Sequence, residues 1–136
     1  MTDEAASFLD NPETYVTMDP TGFGKRVGGL PSQCLSAWEL GLRFSLPHDY
    51  GYVRNVVVVG MGGSAIGGEL LGDLVSMERS PLVTVCRDYD LPPYLGPDSL
   101  VIASSYSGNT EETLTASREA LKRKAKLVAI TTGGKL

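Results

Sequence analysis

The sequence has few of the residues that build disulfide frameworks and metal sites. Its 136 residues include two cysteines, Cys34 and Cys86, and one histidine, His48. The cysteines lie far apart and form no CxxC pair, which argues against a disulfide framework and against a zinc site. A single histidine cannot complete a metal site by itself. We therefore expect no metal, no cofactor and a reducing, cytoplasmic location.

Basic residues and long apolar runs are also scarce. Twelve Lys and Arg residues oppose 16 Asp and Glu residues, so the formal net charge is −4. Domains that bind nucleic acid are usually basic because they neutralise phosphates. No apolar run approaches the ~20 residues of a membrane-spanning helix, and residues 1–10 lack the basic and apolar regions of a signal peptide. We expect no nucleic-acid partner and no membrane partner.

The sequence does contain enough apolar residues for a packed core, since 42% of its residues are hydrophobic. Its length fits about one domain. Residues 1–20 contain five acidic residues and no Lys or Arg, which predicts a weakly ordered acidic arm. Residues 21–136 are then expected to form a single domain.

A helix is predicted near the beginning of this domain. Pro31 suits the first position of a helix, and Leu35, Trp38 and Leu42 follow at helical spacing. The pattern predicts a helix over residues 31–44 whose apolar residues pack into a core.

Four short apolar runs then alternate with helical stretches. They are residues 56–59, 82–86, 100–103 and 126–130. Such runs are typical of strands buried on both faces, and their alternation with helices predicts an α/β fold with a parallel sheet. The sequence stops six residues after the fourth run, so we expect the domain to be truncated after its fourth strand. An unpaired apolar strand at the sheet edge predicts self-association.

Two loops that follow predicted strands carry most of the chemistry. The glycine loop, GMGGSA at residues 60–65, follows the first strand, and the hydroxyl loop, SSYSGNT at residues 104–110, follows the third. Ligands of open α/β sheets bind at the carboxyl ends of the strands, where the strand order reverses. With a strand order of 2-1-3-4 the reversal lies between strands one and three. We therefore expect both loops to border one crevice.

The hydroxyl loop has the composition of an anion site. Ser105, Ser107 and Thr110, with Ser104 as a fourth candidate, offer hydroxyl donors to phosphate oxygens. Each loop leads into a helix, whose free N–H groups and positive dipole end favour an anion. Neither loop contains Lys or Arg. The pattern therefore favours a terminal phosphate that is held by hydroxyls and dipoles.

Simpler interpretations of these loops stay open. Asn109 is predicted to be the N-cap of the following helix, with Glu112 three residues later, and a loop of Ser and Gly residues needs no ligand. The glycine loop also fits the relaxed dinucleotide fingerprint, which expects an acidic residue about 20 positions later. Asp88 lies 28 positions after Gly60, and a dinucleotide leaves the hydroxyl loop unexplained. A Rossmann-like nucleotide-binding domain is therefore the less favoured alternative.

The motifs GMGGSAIGGELL, SYSGNTEETL and AITTGGKL, in this order, resemble the sugar isomerase (SIS) domain family, in particular its phosphoglucose/phosphomannose isomerase branch. The resemblance implies a flavodoxin-like parallel sheet with flanking helices and a small phosphosugar as the partner. It implies that the phosphate contacts Ser105, Ser107, Thr110 and the backbone of Tyr106. It also implies that Gly62, Gly63 and Ser64 line the sugar side of the crevice.

The same resemblance implies a reaction. Members of this branch interconvert glucose 6-phosphate or mannose 6-phosphate with fructose 6-phosphate, and they usually form dimers. Their base and acid lie in a second SIS domain and its linker, so no catalytic residue maps onto this sequence. We expect this chain to bind a phosphosugar and to be inactive by itself. A non-catalytic phosphosugar-sensing SIS module is the alternative.

Overall fold

The computed structural model describes residues 10–78 and 81–136, which belong to two compact units. The first unit ends at Ser45. Its described helices are α1 (Pro12–Met18), α2 (Phe23–Gly28) and α3 (Leu30–Arg43). The position of α3 confirms the helix predicted over residues 31–44. None of these helices contains a buried residue, so the expected packing of Leu35, Trp38 and Leu42 into a core is wrong. A unit this small has too little apolar surface to enclose a core.

Part of the predicted acidic arm is helical. Helix α1 begins after Asn11, whose side-chain oxygen accepts a hydrogen bond from the Glu13 N–H at 3.0 Å. Pro12 occupies the first helical position, where its missing N–H costs no hydrogen bond. The remainder of the arm, residues 1–9, lies outside the described residues.

The second unit runs from Leu46 to Leu136 and contains a parallel sheet. In chain order its elements are a 3-10 turn (His48–Gly51), β1 (Asn55–Val59), α4 (Gly63–Ser76), β2 (Leu82–Cys86), β3 (Ser99–Ser104), α5 (Glu111–Lys122) and β4 (Lys126–Ile130). The strand order is β2-β1-β3-β4, and every pair is parallel. The α/β fold, the four strands and their order are therefore confirmed.

The sheet is covered differently on its two faces. On one face Val57, Val59 and Val101 pack with Ala116 and Ala120 of α5 in the main core cluster. On the other face α4 packs closely on β1, because Gly68 lies directly over the side chain of Val58. Alternate residues of a strand point to opposite faces, and for this reason the runs are apolar throughout. No helix in the described part of the chain has the length and apolar character needed to cross a membrane.

Candidate functional site

The glycine loop connects β1 to α4 with its backbone tight against β3. A Cβ atom on Gly60 would lie only 2.9 Å from the carbonyl oxygen of Ser104 and 3.2 Å from that of Ser64. Gly62 adopts a φ of +51°, which residues with side chains rarely adopt. Only glycine fits both positions without strain. The loop therefore starts beside the end of β3, as the predicted strand order requires.

The hydroxyl loop is built around Ser105. This side chain is only 2% exposed, and its Oγ lies 2.9 Å from the Oγ1 of Thr110. The Gly108 N–H donates to the same Oγ at 3.1 Å. The Ser105 N–H donates to the carbonyl oxygen of Ile130 in β4. Two of the predicted phosphate contacts, Ser105 and Thr110, are therefore held together by the fold.

Ser107 lies at the exposed side of the same loop. Its Oγ accepts a hydrogen bond from the Asn109 N–H at 3.2 Å, and its carbonyl oxygen accepts one from the Asn109 side-chain amide at 3.1 Å. Asn109 is therefore not the N-cap of α5, and the predicted pairing with Glu112 is wrong. The N-cap is Thr110, and α5 begins at Glu111. Asn109 is instead used by a local turn around Ser107, which asparagine favours as readily as a cap.

Several N–H groups of the loop remain free to bind a ligand. Among the described residues, none accepts a hydrogen bond from the N–H groups of Tyr106 and Ser107. The first turn of α5 adds unpaired N–H groups and the positive end of a 12-residue helix. The side chain of Tyr106 is 80% exposed at the tip of the loop. Neither loop contains Lys or Arg, so the N–H groups and hydroxyls are the donors that the loops themselves offer to an anion.

Acidic side chains lie beside the same helix end. Glu111 and Glu112 occupy the first turn of α5, and Asp88 follows β2. Burial raises the pKa of the Tyr89 phenol, and the negative charges of Glu111, Glu112 and Asp88 raise it further.

The crevice between α4 and the sheet lies beside both loops. It is a cavity of about 210 Å³ lined mostly by apolar residues, with Ser64 and Ser104 as its hydroxyl-bearing residues. Ser104 is the last residue of β3 and lines this cavity, so it stands apart from the Ser105–Thr110 pair. Gly62 and Gly63 are exposed at the start of α4. The glycine loop and the hydroxyl loop are thus neighbours at the carboxyl edge of β1 and β3.

The segment after β4, which is the end of the motif AITTGGKL, also contacts the hydroxyl loop. We call residues 131–136, which follow β4, the strap. Thr132 donates to the Tyr106 carbonyl oxygen through its N–H at 3.2 Å and through its Oγ1 at 2.6 Å. The N–H groups of Lys135 and Leu136 donate to the Gly108 carbonyl oxygen at 3.0 and 3.1 Å. The available signal was topological, because β3 and β4 are neighbours and end at the same edge.

Two other features do not belong to this site. The 3-10 turn that holds His48 lies at the opposite edge of the sheet, since its Asp49 is 4.0 Å from the ammonium group of Lys126, where β4 begins. A larger cleft of about 520 Å³ lies between α4 and β2 and is lined by Glu69, Asp73 and Glu78. Its lining residues lie between Gly68 and Val85, outside both loops, so this cleft is separate from the site.

Comparisons with known proteins concern the domain as a whole. The SIS domain model matches residues 53–135. The bifunctional phosphoglucose/phosphomannose isomerase of Caldicellulosiruptor bescii is 51% identical over 110 residues, which is 81% of this chain and 32% of that protein. The protein of the same name from Thermoplasma acidophilum is 45% identical over 95 residues, covering 70% of this chain and 30% of that protein. The chain thus spans about a third of the length of these curated relatives.

A solved structure shares the fold. It comes from Salmonella typhimurium LT2 and is provisionally described as a phosphosugar isomerase. It superposes with a TM-score of 0.53 at 30% sequence identity, over 60% of this chain and 27% of that one. The part of this chain that superposes therefore has the α/β architecture found in that protein.

Proposed function

Because the chain belongs to the SIS domain family, we propose that its hydroxyl loop binds the phosphate group of a sugar phosphate. The observation that carries the proposal is the pair formed by Ser105 Oγ and Thr110 Oγ1, 2.9 Å apart at the N-terminus of α5. A phosphate there would meet these two hydroxyls, the Ser107 hydroxyl and the free N–H groups of Tyr106 and Ser107. Hydrogen bonds to an ionised acceptor are stronger than those between neutral groups.

The sugar would extend from the phosphate toward the glycine loop. Gly62, Gly63 and Ser64 are proposed to line this side of the crevice, where glycine lets the backbone approach a ligand closely. Ser64 and Ser104 border the neighbouring cavity and offer hydroxyls to a sugar.

The proposed role of the whole protein is aldose–ketose isomerisation, which interconverts glucose 6-phosphate or mannose 6-phosphate with fructose 6-phosphate. The names of the curated relatives support this reaction. Such a reaction needs a base and an acid beside the sugar. His48 lies at the opposite edge of the sheet, and Glu111 and Glu112 lie in the helix turn that faces the phosphate. We therefore expect the chain to supply binding residues, with no catalytic residue assigned to it.

A binding experiment tests the site directly. Isothermal titration of the 136-residue chain with glucose 6-phosphate, mannose 6-phosphate and fructose 6-phosphate should give binding, and inorganic phosphate should compete. Glucose without its phosphate should bind far more weakly. Binding of NAD without binding of any sugar phosphate would contradict the proposal and favour the nucleotide-binding alternative.

A coupled assay with fructose 6-phosphate tests the expected inactivity of the chain. No turnover should be detected with the purified protein. Turnover that persists through purification and is lost in Glu112→Gln would place the base in this chain. If His48→Ala abolishes turnover instead, the site lies at the edge of the sheet that holds His48, and its assignment to the carboxyl edge is wrong.

A further inference from the structure

We propose that Thr132 is a positioning residue, which orients the N–H group of Ser107 toward the phosphate by fixing the carbonyl group of Tyr106. The inference rests on the proposed function of the hydroxyl loop and adds a residue outside that loop. Thr132 lies in the strap and donates twice to the Tyr106 carbonyl oxygen, through its N–H at 3.2 Å and through its Oγ1 at 2.6 Å.

The geometry of the peptide bond links the Tyr106 carbonyl group to the Ser107 N–H group. The carbonyl group of Tyr106 and the N–H group of Ser107 belong to one peptide unit, which is planar and trans. The two groups therefore point in opposite directions. When Thr132 holds the carbonyl on the strap side, the N–H of Ser107 is directed away from the strap. It has no acceptor among the residues that the structure describes.

The peptide unit between Gly108 and Asn109 has the same arrangement, and it indicates what lies on the side away from the strap. The strap holds the Gly108 carbonyl oxygen through the N–H groups of Lys135 and Leu136. The N–H of Asn109, in the same peptide unit, donates to the Ser107 Oγ at 3.2 Å. The side away from the strap is therefore the side of the Ser107 hydroxyl, where the phosphate is proposed to bind.

Two glycines let the strap approach closely enough to make these bonds. Gly108 has a φ of +63°, and a Cβ there would collide with the Gly133 carbonyl oxygen and lie 2.7 Å from the Thr131 Oγ1. Gly134 has a φ of +87°, and a Cβ there would collide with the Ser107 carbonyl oxygen. Backbone therefore packs directly against backbone in this region. This close approach brings Thr132 within hydrogen-bond distance of the Tyr106 carbonyl oxygen.

The hydroxyl of Thr132 can be removed with little change of shape. Thr132→Val keeps the backbone N–H and the branched side chain but loses the 2.6 Å bond to Tyr106. We expect the dissociation constant of glucose 6-phosphate to rise about fivefold, which is the scale of one hydrogen bond. Thr132→Ser restores a hydroxyl donor and should recover most of the affinity. Thr132→Ala offers a second test if the valine variant does not fold.

Thr84→Val is the matched control. It removes a hydroxyl that lies 2.8 Å from the Tyr94 hydroxyl, in the middle of β2. It should lower the unfolding midpoint about as much as Thr132→Val and leave the affinity unchanged. Amide NMR adds a measurement that general destabilisation does not change. The Ser107 amide signal should shift on addition of glucose 6-phosphate in the parent chain, and it should shift less in Thr132→Val.

The outcomes separate this inference from the proposed function. If Ser107→Ala weakens binding but Thr132→Val and Thr132→Ala bind as the parent does, the positioning role is wrong and the phosphate site stands. A loss that Thr132→Ser does not restore, or that Thr84→Val shares, also overturns the inference. If the parent binds no sugar phosphate, the proposed function fails and the role of Thr132 fails with it.

Discussion

The Oγ atom of Ser105 lies 2.9 Å from the Oγ1 atom of Thr110, so one of the two hydroxyls donates its hydrogen to the other. The pair therefore has a single hydroxyl hydrogen left for a ligand. Ser107 differs, because its Oγ accepts from the Asn109 N–H and its own hydrogen remains free. The loop thus offers a phosphate two hydroxyl hydrogens with different degrees of support from the fold.

This difference predicts how the Ser107 and Ser105 hydroxyls respond to mutation. Ser107→Ala should weaken glucose 6-phosphate binding by about 1–2 kcal/mol, the scale of a hydrogen bond to a charged group, with little change in the unfolding midpoint. Ser105→Ala should lower both the affinity and the unfolding midpoint, since Ser105 is buried and donates or accepts hydrogen bonds with Thr110 and Gly108 there. The Asn109 N–H that donates to Ser107 is exposed and can bond to water instead. Isothermal titration and urea denaturation measure the two quantities.

Ser76→Ala serves as the control for these variants. Its hydroxyl donates to the Asp73 carbonyl oxygen at 2.7 Å, at the end of α4 that is far from the glycine loop, so affinity should not change. Unaltered affinity in both Ser105→Ala and Ser107→Ala would place the phosphate elsewhere.

Much of the sheet could be predicted from the sequence, because burial on both faces forces an apolar run. Val57 and Val58 show this directly: the first packs toward α5 and the second lies under Gly68 of α4. The two loops could be predicted as well, since a parallel sheet brings the ends of β1 and β3 to one edge.

Three other features could not be predicted from the sequence alone. Asn109 can cap a helix or form a turn, and the fold selects the turn around Ser107. The hydrogen bonds of the strap join backbone groups that are far apart in sequence, such as the Thr132 N–H and the Tyr106 carbonyl oxygen. The sequence does not reveal which backbone groups will bond, because every residue type presents the same ones. The exposure of Trp38 depends on what the small first unit can enclose, which helical spacing does not reveal.

Self-association through β4 remains a prediction of the sequence, and the structure supplies residues for its test. In the described sheet β4 pairs with β3 on one side only. Ile130 is 59% exposed near its end, and Val128 is half-buried. Exposed apolar strand edges pair with other chains. We expect light scattering at tens of micromolar, on the order of ordinary weak affinities, to detect an oligomer that Val128→Lys dissociates.

Two further variants keep that test informative. Ile130→Lys changes a more exposed position on the same strand and should also dissociate the oligomer. Val16→Lys introduces the same charge at an exposed valine of α1 and should have no effect. A monomeric parent chain, or an oligomer indifferent to both lysines in β4, would count against an interface at this strand.

The short helix α2 should depend on pH through Asp19. Its carboxylate accepts hydrogen bonds from the N–H groups of Gly24 and Phe23, each at 2.7 Å, and these bonds lower its pKa below the usual 3.8. The stabilisation is therefore complete above the usual pKa and is lost as the pH falls through the lower value of the folded state. NMR titration of the carboxyl carbon and of the Gly24 amide should show one coupled step below pH 3.8.

Asp19→Asn should remove that step from the Gly24 amide, because the acceptor no longer titrates. Asp73→Asn makes the same change of charge on α4 and should leave the step in place. A Gly24 amide that titrates unchanged in Asp19→Asn would show that another group is responsible.

Neighbouring glycines of α4 should respond to alanine in opposite directions. A Cβ on Gly68 would lie 2.7 Å from the Cγ1 of Val58, so Gly68→Ala should destabilise the protein by about 1–3 kcal/mol through overpacking. A Cβ on Gly67 would meet nothing within 4 Å, so Gly67→Ala should stabilise it by about 0.5–1 kcal/mol through helix propensity. Urea denaturation measures both. Val58→Ala should partly rescue Gly68→Ala, since it removes the methyl groups that collide. Equal stability of the two alanine variants would contradict the close packing of α4 on β1. Because α4 begins at the glycine loop, we also expect Gly68→Ala to weaken phosphosugar binding.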